Sequence, residues 1–565
     1  MRLRRGGGAA IRHHRAAAAG ALLVAGVAIA PIVALVAIAL SGDAAVWTHL
    51  LATVLPPSLK ATALLMLGVG LATAVVGIAT AWLVAMYRFP GRGMLEWMLL
   101  LPLAVPTYVV AYCYVELLDH VGPVQSGIRS LFGFSSIRDY WFPDIRSLGG
   151  AVFVMSAVLY PYVYLTVRAT FLMQSVCVLD VGRTLGAGPA RCFREVALPL
   201  ARPAAVVGVT LALMECLNDI GAVQYLGVRT LTLSVYATWV NRGDLAGAAQ
   251  LACAMLLAVL LLIWLERRGR GLQRFHNTAR RQQPLPDHPL RGWRAIAAVA
   301  VCAVPVLAGF VFPASYLLSA AIRRGASDFG PAYFSLVTNS LTLSLAAALA
   351  AVVAALVLVY AARLTGSRLV RAAGRIAAIG YAVPGTVLAI GILIPLAALD
   401  NAVDGLARQW FGLSTGLLLT GSIAALVYAY VVRFLAVSHG TVEAGLERIT
   451  PSIDMAARSL GRSPGRVLRE IHLPLVRPAA TTAALLVFVD SMKELPATIL
   501  LRPFNFETLA THVYTYASMQ MVEQGALAAL TIVAAGLLPV ALLARSARQS
   551  RPGAGTAARA TLPSI

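Results

Sequence analysis

Charge is scarce in this chain and lysine almost absent: only 12% of the 565 residues are charged, and lysine occurs only at Lys60 and Lys493. A soluble globular chain carries about 25% charged residues. With 59% hydrophobic residues and a mean hydropathy of +0.79, this one would need a very large core to stay in water. Lipid is the simpler solvent. The lysine shortage also excludes a P-loop, which needs Gly-Lys followed by Ser or Thr; Lys60 follows Leu59 and Lys493 follows Met492. The six cysteines (Cys113, Cys177, Cys192, Cys216, Cys253, Cys302) contain no Cys-x-x-Cys pair. They read as small apolar fillers rather than a disulfide framework or a metal site. The nine histidines form no spaced cluster with carboxylates, so no metal ligands are expected, and His13 and His14 fall in a basic, solvated N-terminus.

What basic charge there is comes from arginine, and the formal net charge is +22. A nucleic-acid binder would cluster these residues on one soluble face among aromatics. Here they lie between long apolar runs, as the positive-inside rule describes, and would favour an anionic inner leaflet.

A helix needs about 20 apolar residues to cross the hydrocarbon. Charge-free runs of that order lie at 16–42, 61–87, 97–115, 147–167, 245–265, 295–322, 329–362, 376–399, 411–432 and 525–544. Two shorter runs, 203–214 and 478–489, end at Glu215 and Asp490 and bring the expected count to twelve. The first run is longer than the 7–15 residues of a signal-peptide core, so it reads as an uncleaved span. With the N-terminus inside, the segments after even-numbered spans should be basic. They are: Arg88 and Arg92; Arg183, Arg191 and Arg194; Arg267 to Arg281; Arg363 to Arg375; Arg458 to Arg469; and Arg545 to Arg551. Both termini are expected to be cytoplasmic.

Asp180 to Ala205 matches Met455 to Ala480 at a constant offset of 275 residues, and Glu215 to Asp219 continues the match onto Asp490 to Glu494. Ala104-Val-Pro106 returns as Ala382-Val-Pro384 at an offset of 278. The chain therefore reads as two homologous six-span halves, 1–265 and 295–565, joined by an Arg/Pro-rich cytoplasmic linker at 266–294. Six is even, so the repeat is parallel, which suits a path between the halves.

The repeated segment carries two short helices. Asp180 to Leu185 can form the first, stopped by Gly186 in the left-handed conformation, with Pro189 opening the second. In the other half Gly461 is the stop, Ser463 the N-cap and Pro464 the first helical residue. The second helix is amphipathic, with Val467, Leu468 and Ile471 on one side, and Pro199 and Pro474 are expected to end it. An apolar face outside the bilayer calls for a protein partner or for the headgroup region.

The spacing closely resembles the EAA loop of ATP-binding-cassette (ABC) importer permeases: an E-A-A triplet, three free positions, Gly, nine free positions, then Ile-x-Leu-Pro. One copy gives Asp180-Val181-Gly182, Gly186 and Val196-Ala197-Leu198-Pro199; the other gives Met455-Ala456-Ala457, Gly461 and Ile471-His472-Leu473-Pro474. The resemblance spans both halves. It implies an all-α integral membrane protein of the type I importer permease class, in the bacterial inner membrane. Two copies of a cytoplasmic ATPase would dock on these loops, with Arg183 and Arg458 beside the triplets, and a periplasmic binding protein would deliver the solute. The permease itself is then not an enzyme and binds no cofactor, the ATP and magnesium belonging to the ATPase. Both copies depart from the pattern at its first residue, and Met455 removes the charge.

Asp490-Ser-Met-Lys493-Glu494-Leu-Pro496 and the following Leu-Leu-Arg502-Pro503-Phe504 look like the corresponding region of fused ferric-iron permeases. Fe(III) is the favoured solute, with thiamine, phosphonate or polyamine as alternatives. Glu215, Asp219, Asp490, Lys493 and Glu494 lie at span ends, where charge is costly unless it faces a cavity or pairs. They line a translocation path or its gate, or they are structural ion pairs or interfacial groups. A secondary transporter could also have six plus six spans, though it needs no matched amphipathic loops; a membrane scaffold is the remaining class.

Overall fold

The computed structural model describes residues 6–173, 188–270, 288–325 and 329–549. Among the described residues eleven helices are long and apolar enough to cross a membrane, and a bent helix pair that passes the same test together brings the count to twelve. Helix is what lipid demands of such runs, because hydrocarbon offers no partner for an open backbone N–H or C=O. The two short apolar runs ending at acids are parts of longer helices, Ala190–Asn218 and Gly465–Met492.

The bent pair joins Arg92–Ala104 to Thr107–Phe132 at 93°. Its cause is the Ala-Val-Pro repeat. Pro106 supplies no N–H and keeps the preceding residue out of the helical region, and Val105 is extended at φ −100°, ψ 125°. Val383 before Pro384 is likewise extended, at φ −82°, ψ 122°, ahead of the helix Gly385–Phe411. Hydropathy reads 97–115 as one run because it does not register a missing hydrogen bond.

Two compact units make up the chain. One contains Met1–Thr53, Ser234–Leu256 and Phe329–His512; the other contains Val54–Leu233, Leu257–Asp328 and Val513–Ile565. Each unit thus takes its first span from the opposite end of the repeat. In the first unit, Gly6–Leu40 packs on Pro331–Thr365, Gly385–Phe411 and Arg368–Ala377. The approach is close enough that a Cβ on Gly391 would fall 2.1 Å from the Pro31 carbonyl oxygen. In the second unit, the helix from Trp293 to Arg324 packs on the elements of 55–173 and on Ala526–Gln549. There Gly309 is pressed against Pro102 and the Ala157 carbonyl.

The halves repeat individual contacts as well as spans. Thr62 Oγ1 accepts the Leu231 N–H at 2.9 Å, and Ser340 Oγ accepts the Leu509 N–H at 2.8 Å. All four residues are buried, and both pairs stand at the 278-residue offset. Each hydroxyl satisfies the first N–H of a short helix that has no intrahelical partner.

Candidate functional site

The backbone of the second copy of the repeated segment is described throughout, while the Arg458 and Pro464 side chains lie outside the description. Pro451–Ser459 is helical, and Gly461 follows at φ +72°, the left-handed geometry expected of the stop. The Arg462 N–H reaches back to the Ala457 carbonyl at 3.1 Å, the six-to-one closure of a Schellman turn. Pro464 opens the next helix, and the Ser463 carbonyl accepts the Arg466 and Val467 N–H groups. In the first copy, Asp180, Val181, Gly182, Arg183 and Gly186 lie outside the described residues, and the helix is described from Pro189 onward.

The helices do not stop at Pro199 and Pro474. They run on into the spans through one wide π turn each, Phe193–Ala197 and Leu468–His472. A helical proline removes one N–H and presses its ring on the carbonyl four residues back. Here the residue before each proline bonds five back instead: Leu198 N–H to the Phe193 carbonyl, and Leu473 N–H to that of Leu468. One inserted residue absorbs the defect, so the segment after the stop is continuous with a membrane helix.

Asp454 fixes the other arm. Its carboxylate meets Arg363 Nε at 3.0 Å and His472 Nε2 at 2.6 Å. Arg363 also donates to the Leu446 and Ile449 carbonyls at 2.7 and 2.9 Å, closing the end of Ile423–Glu447. Burial pushes the Asp454 carboxyl up, but the hydrogen bonds and charges of Arg363 and His472 outweigh it and hold the pKa below the ordinary carboxylate value. Tyr360 packs edge-on against the His472 ring. The charge that Met455 lacks is thus present one residue earlier.

So clamped, the segment turns apolar side chains outward. Met455 is 64% exposed and Leu460 79%, and Ile453 and Ala456 are also exposed. Ala457 and Val467 are buried and hold the elbow to its own unit, and Ile471 is half-buried. Leu473 and Pro474 are exposed on the helix that follows. In the first copy Ala197 is buried, and Val196 and Pro199 are partly or fully exposed in the continuous helix.

Of the charged residues at span ends, Asp219 and Glu494 are buried and perform one task at the 275-residue offset. Asp219 Oδ1 accepts the Ala222 N–H at 2.8 Å, and Glu494 Oε1 accepts the Ala497 N–H at 3.2 Å. Each opens the short helix that follows its span. Glu494 Oε2 also pairs with Arg433 Nε at 3.0 Å, both side chains being 4% exposed. Lys493 Nζ meets Asp490 Oδ1 at 3.0 Å in a partly exposed pair, and Glu215 is half-buried.

The family description "binding-protein-dependent transport system inner membrane component" matches this chain twice, over residues 74–268 and 351–550. The chain belongs to that family. It is an ABC importer permease, a multi-pass membrane protein with both permease domains in one polypeptide. It is 26% identical over 498 residues to the Fe(3+)-transport system permease protein FbpB 2 of Haemophilus influenzae, covering 86% of this chain and 90% of the relative. It is 25% identical to the probable ABC transporter permease protein y4fN of Sinorhizobium fredii, covering 84% of each. The molybdenum transport system permease protein ModB of Escherichia coli is 29% identical over 204 residues, 34% of this chain and 86% of ModB.

Sequence reasoning passed over Asp454 and Arg433, and it gave Arg363 and His472 no role beyond a basic segment and a motif position. Arg433 bounds the charge-free run 411–432 and so reads as the start of a loop, yet the helix Ile423–Glu447 carries it in its interior. Its partner is far away in sequence, at Glu494. Asp454 directly precedes the Met455 triplet, and that adjacency was the available signal.

Proposed function

We propose that this permease is the membrane subunit of an ATP-driven importer and that two copies of a cytoplasmic ATPase dock on its twin elbows, near 180–199 and 455–474. The observation that carries the reading is the outward apolar set Ile453, Met455 and Leu460, held outside the spans by the Asp454–Arg363–His472 clamp and continuous with a membrane helix. Such a surface has no lipid tails to bury it, and a protein groove does so. ATP and magnesium belong to the docked subunit, and this chain binds no cofactor of its own. Both termini are cytoplasmic, as the arginine alternation requires, and a periplasmic binding protein delivers the solute.

The solute proposed is Fe(III), on the near-full-length match to the FbpB 2 permease. A different solute is the second reading, because ModB matches a single permease domain at slightly higher identity. Glu215, Asp490 and Lys493, partly exposed at span ends, line the path; Asp219 and Glu494 shape it by fixing the short helices behind them.

The test is co-purification with a candidate ABC ATPase. Gly461→Pro forces φ from +72° to about −65° and breaks the elbow. The variant is expected to insert normally and lose the ATPase. Undiminished ATPase recovery from inserted Gly461→Pro protein would sink the docking role.

A further inference from the structure

The two halves differ at one matched place, where one is filled and the other hollow. In the first half, Arg92 Nε donates to the Val84 carbonyl at 2.9 Å and Tyr164 Oη donates to the Glu96 carbonyl at 2.9 Å. Arg168 forms an ion pair with the Glu96 carboxylate, both nearly buried. These side chains fill the angle between the span Leu148–Met173 and the short helix Arg92–Met98.

The second-half counterparts are Val370 and Gly374, at the 278-residue offset from Arg92 and Glu96, and His439 and Glu443, at the 275-residue offset from Tyr164 and Arg168. Two contacts fix this register. Ser147 and Ser422, 275 residues apart, both cap their spans through the side-chain oxygen. A Cβ on Gly374 would lie 3.0 Å from His439 Nε2, which repeats the meeting of Tyr164 with Glu96. Two guanidinium groups and a carboxylate have thus become an isopropyl group, a hydrogen and a lone carboxylate.

What remains is a cavity of about 330 Å³ lined by Val370, Gly374, His439, Glu443, Glu447 and Arg371, with Arg363 at its wall. Glu443 stands where Arg168 would put a cation. Among the described residues its ion-pair partner is His439 Nδ1, at 3.7 Å. Arg363 is committed to Asp454 and two carbonyls, and among the described residues Arg371 reaches only the Gly366 carbonyl, at 3.4 Å.

The cavity lies at the ends of Pro331–Thr365 and Ile423–Glu447, beside the helix Arg368–Ala377. That helix exposes Leu369 and Ile376 together with Arg368, Arg371 and Arg375, the composition of a helix lying in the headgroup layer. We propose that this cavity binds the headgroup of an aminophospholipid, its ammonium against Glu443 and Glu447 and its phosphate toward Arg371. The ammonium supplies the cation that Arg168 supplies in the other half, and it must carry N–H groups to donate to the carboxylates. Arg363 lines the cavity and also holds Asp454, so occupancy bears on the elbow. The lipid site itself rests on the chain's spanning a membrane and not on ATPase docking.

Native mass spectrometry of the full, delipidated chain reads this directly, titrating phosphatidylethanolamine, phosphatidylcholine and phosphatidylglycerol of identical acyl chains. Phosphatidylethanolamine should be retained about tenfold better than phosphatidylcholine, and Glu443→Gln should remove about that factor, the scale of one hydrogen bond to a charged group. Gly374→Leu puts a side chain at the cavity and against His439, whose ring must give way, without altering charge; it should have the same effect, which keeps the test available if Glu443→Gln does not fold. Glu470→Gln, on the exposed elbow, should change nothing. Equal retention of the ethanolamine and choline lipids, unchanged retention by folded Glu443→Gln or Gly374→Leu, or preference for phosphatidylglycerol would each overturn the assignment.

Discussion

Replacing both Met455 and Leu460 by aspartate is expected to abolish ATPase association while leaving the permease folded and inserted. Both side chains are exposed outside the spans, Met455 four residues after the start of Pro451–Ser459 and Leu460 just past its end. Both are mostly exposed, so the change should disturb folding little. At an interface, each would be desolvated against a partner groove, and truncating such an anchor costs about 2 kcal/mol or more. Two buried charges in their place would cost about 4 kcal/mol together, roughly a thousandfold in affinity. Asp454→Asn provides a contrast. It weakens the clamp to Arg363 and His472 but keeps the apolar surface, so it should lower transport more than it lowers ATPase binding. The measurement is ATPase recovered per inserted permease, alongside a thermal unfolding profile in detergent.

The second large effect belongs to Arg433. Arg433→Met leaves the Glu494 carboxylate buried without its guanidinium, and breaking a buried pair from one side costs about 3–5 kcal/mol. The double variant Arg433→Met with Glu494→Gln removes both charges and keeps an oxygen to accept the Ala497 N–H. It should recover most of the loss. Lys493→Met breaks a pair that is partly exposed on both sides, and such pairs contribute about 0–1 kcal/mol. The ordering expected in thermal unfolding is therefore Arg433→Met far below the double variant, with Lys493→Met near the native chain. A double variant no more stable than Arg433→Met would show that Arg433 matters for something other than neutralising Glu494.

How far the sequence was legible depends on which interaction decides each feature. Span count was legible because hydrocarbon thickness acts on every residue of a run, but two bounds were misplaced: 376–399 and 411–432 each begin about ten residues ahead of their helices, Gly385–Phe411 and Ile423–Glu447, and 412–422 is not helical. Gly461 was legible because a left-handed turn after a helix selects glycine for reasons local to a few bonds. Pro474 was misjudged: its missing N–H was weighed as a stop, whereas a single inserted residue at Leu468–His472 carries the helix through. Arg433 and Arg168 were invisible as interior residues because their carboxylate partners lie 61 and 72 residues away. The assignment of Gly6–Leu40 to a unit built mostly from the second half was equally hidden, since hydropathy says that a helix is buried in lipid and nothing about its neighbour.

The repeat itself was legible, and its most informative part is where it fails. Glu96 against Gly374 and Arg168 against Glu443 are substitutions that no periodicity flags, yet they turn a filled corner into a cavity. Sequence symmetry located the corresponding places, and only the contacts showed that one of them encloses a cavity.

The most direct measurement is solute accumulation by the purified chain in sealed vesicles, with the loaded binding protein present and with the ATPase and ATP supplied or withheld. Accumulation should require all of them and vanish with Met455 and Leu460 both changed to aspartate. Accumulation driven by an ion gradient alone, with no ATPase present, would contradict the account.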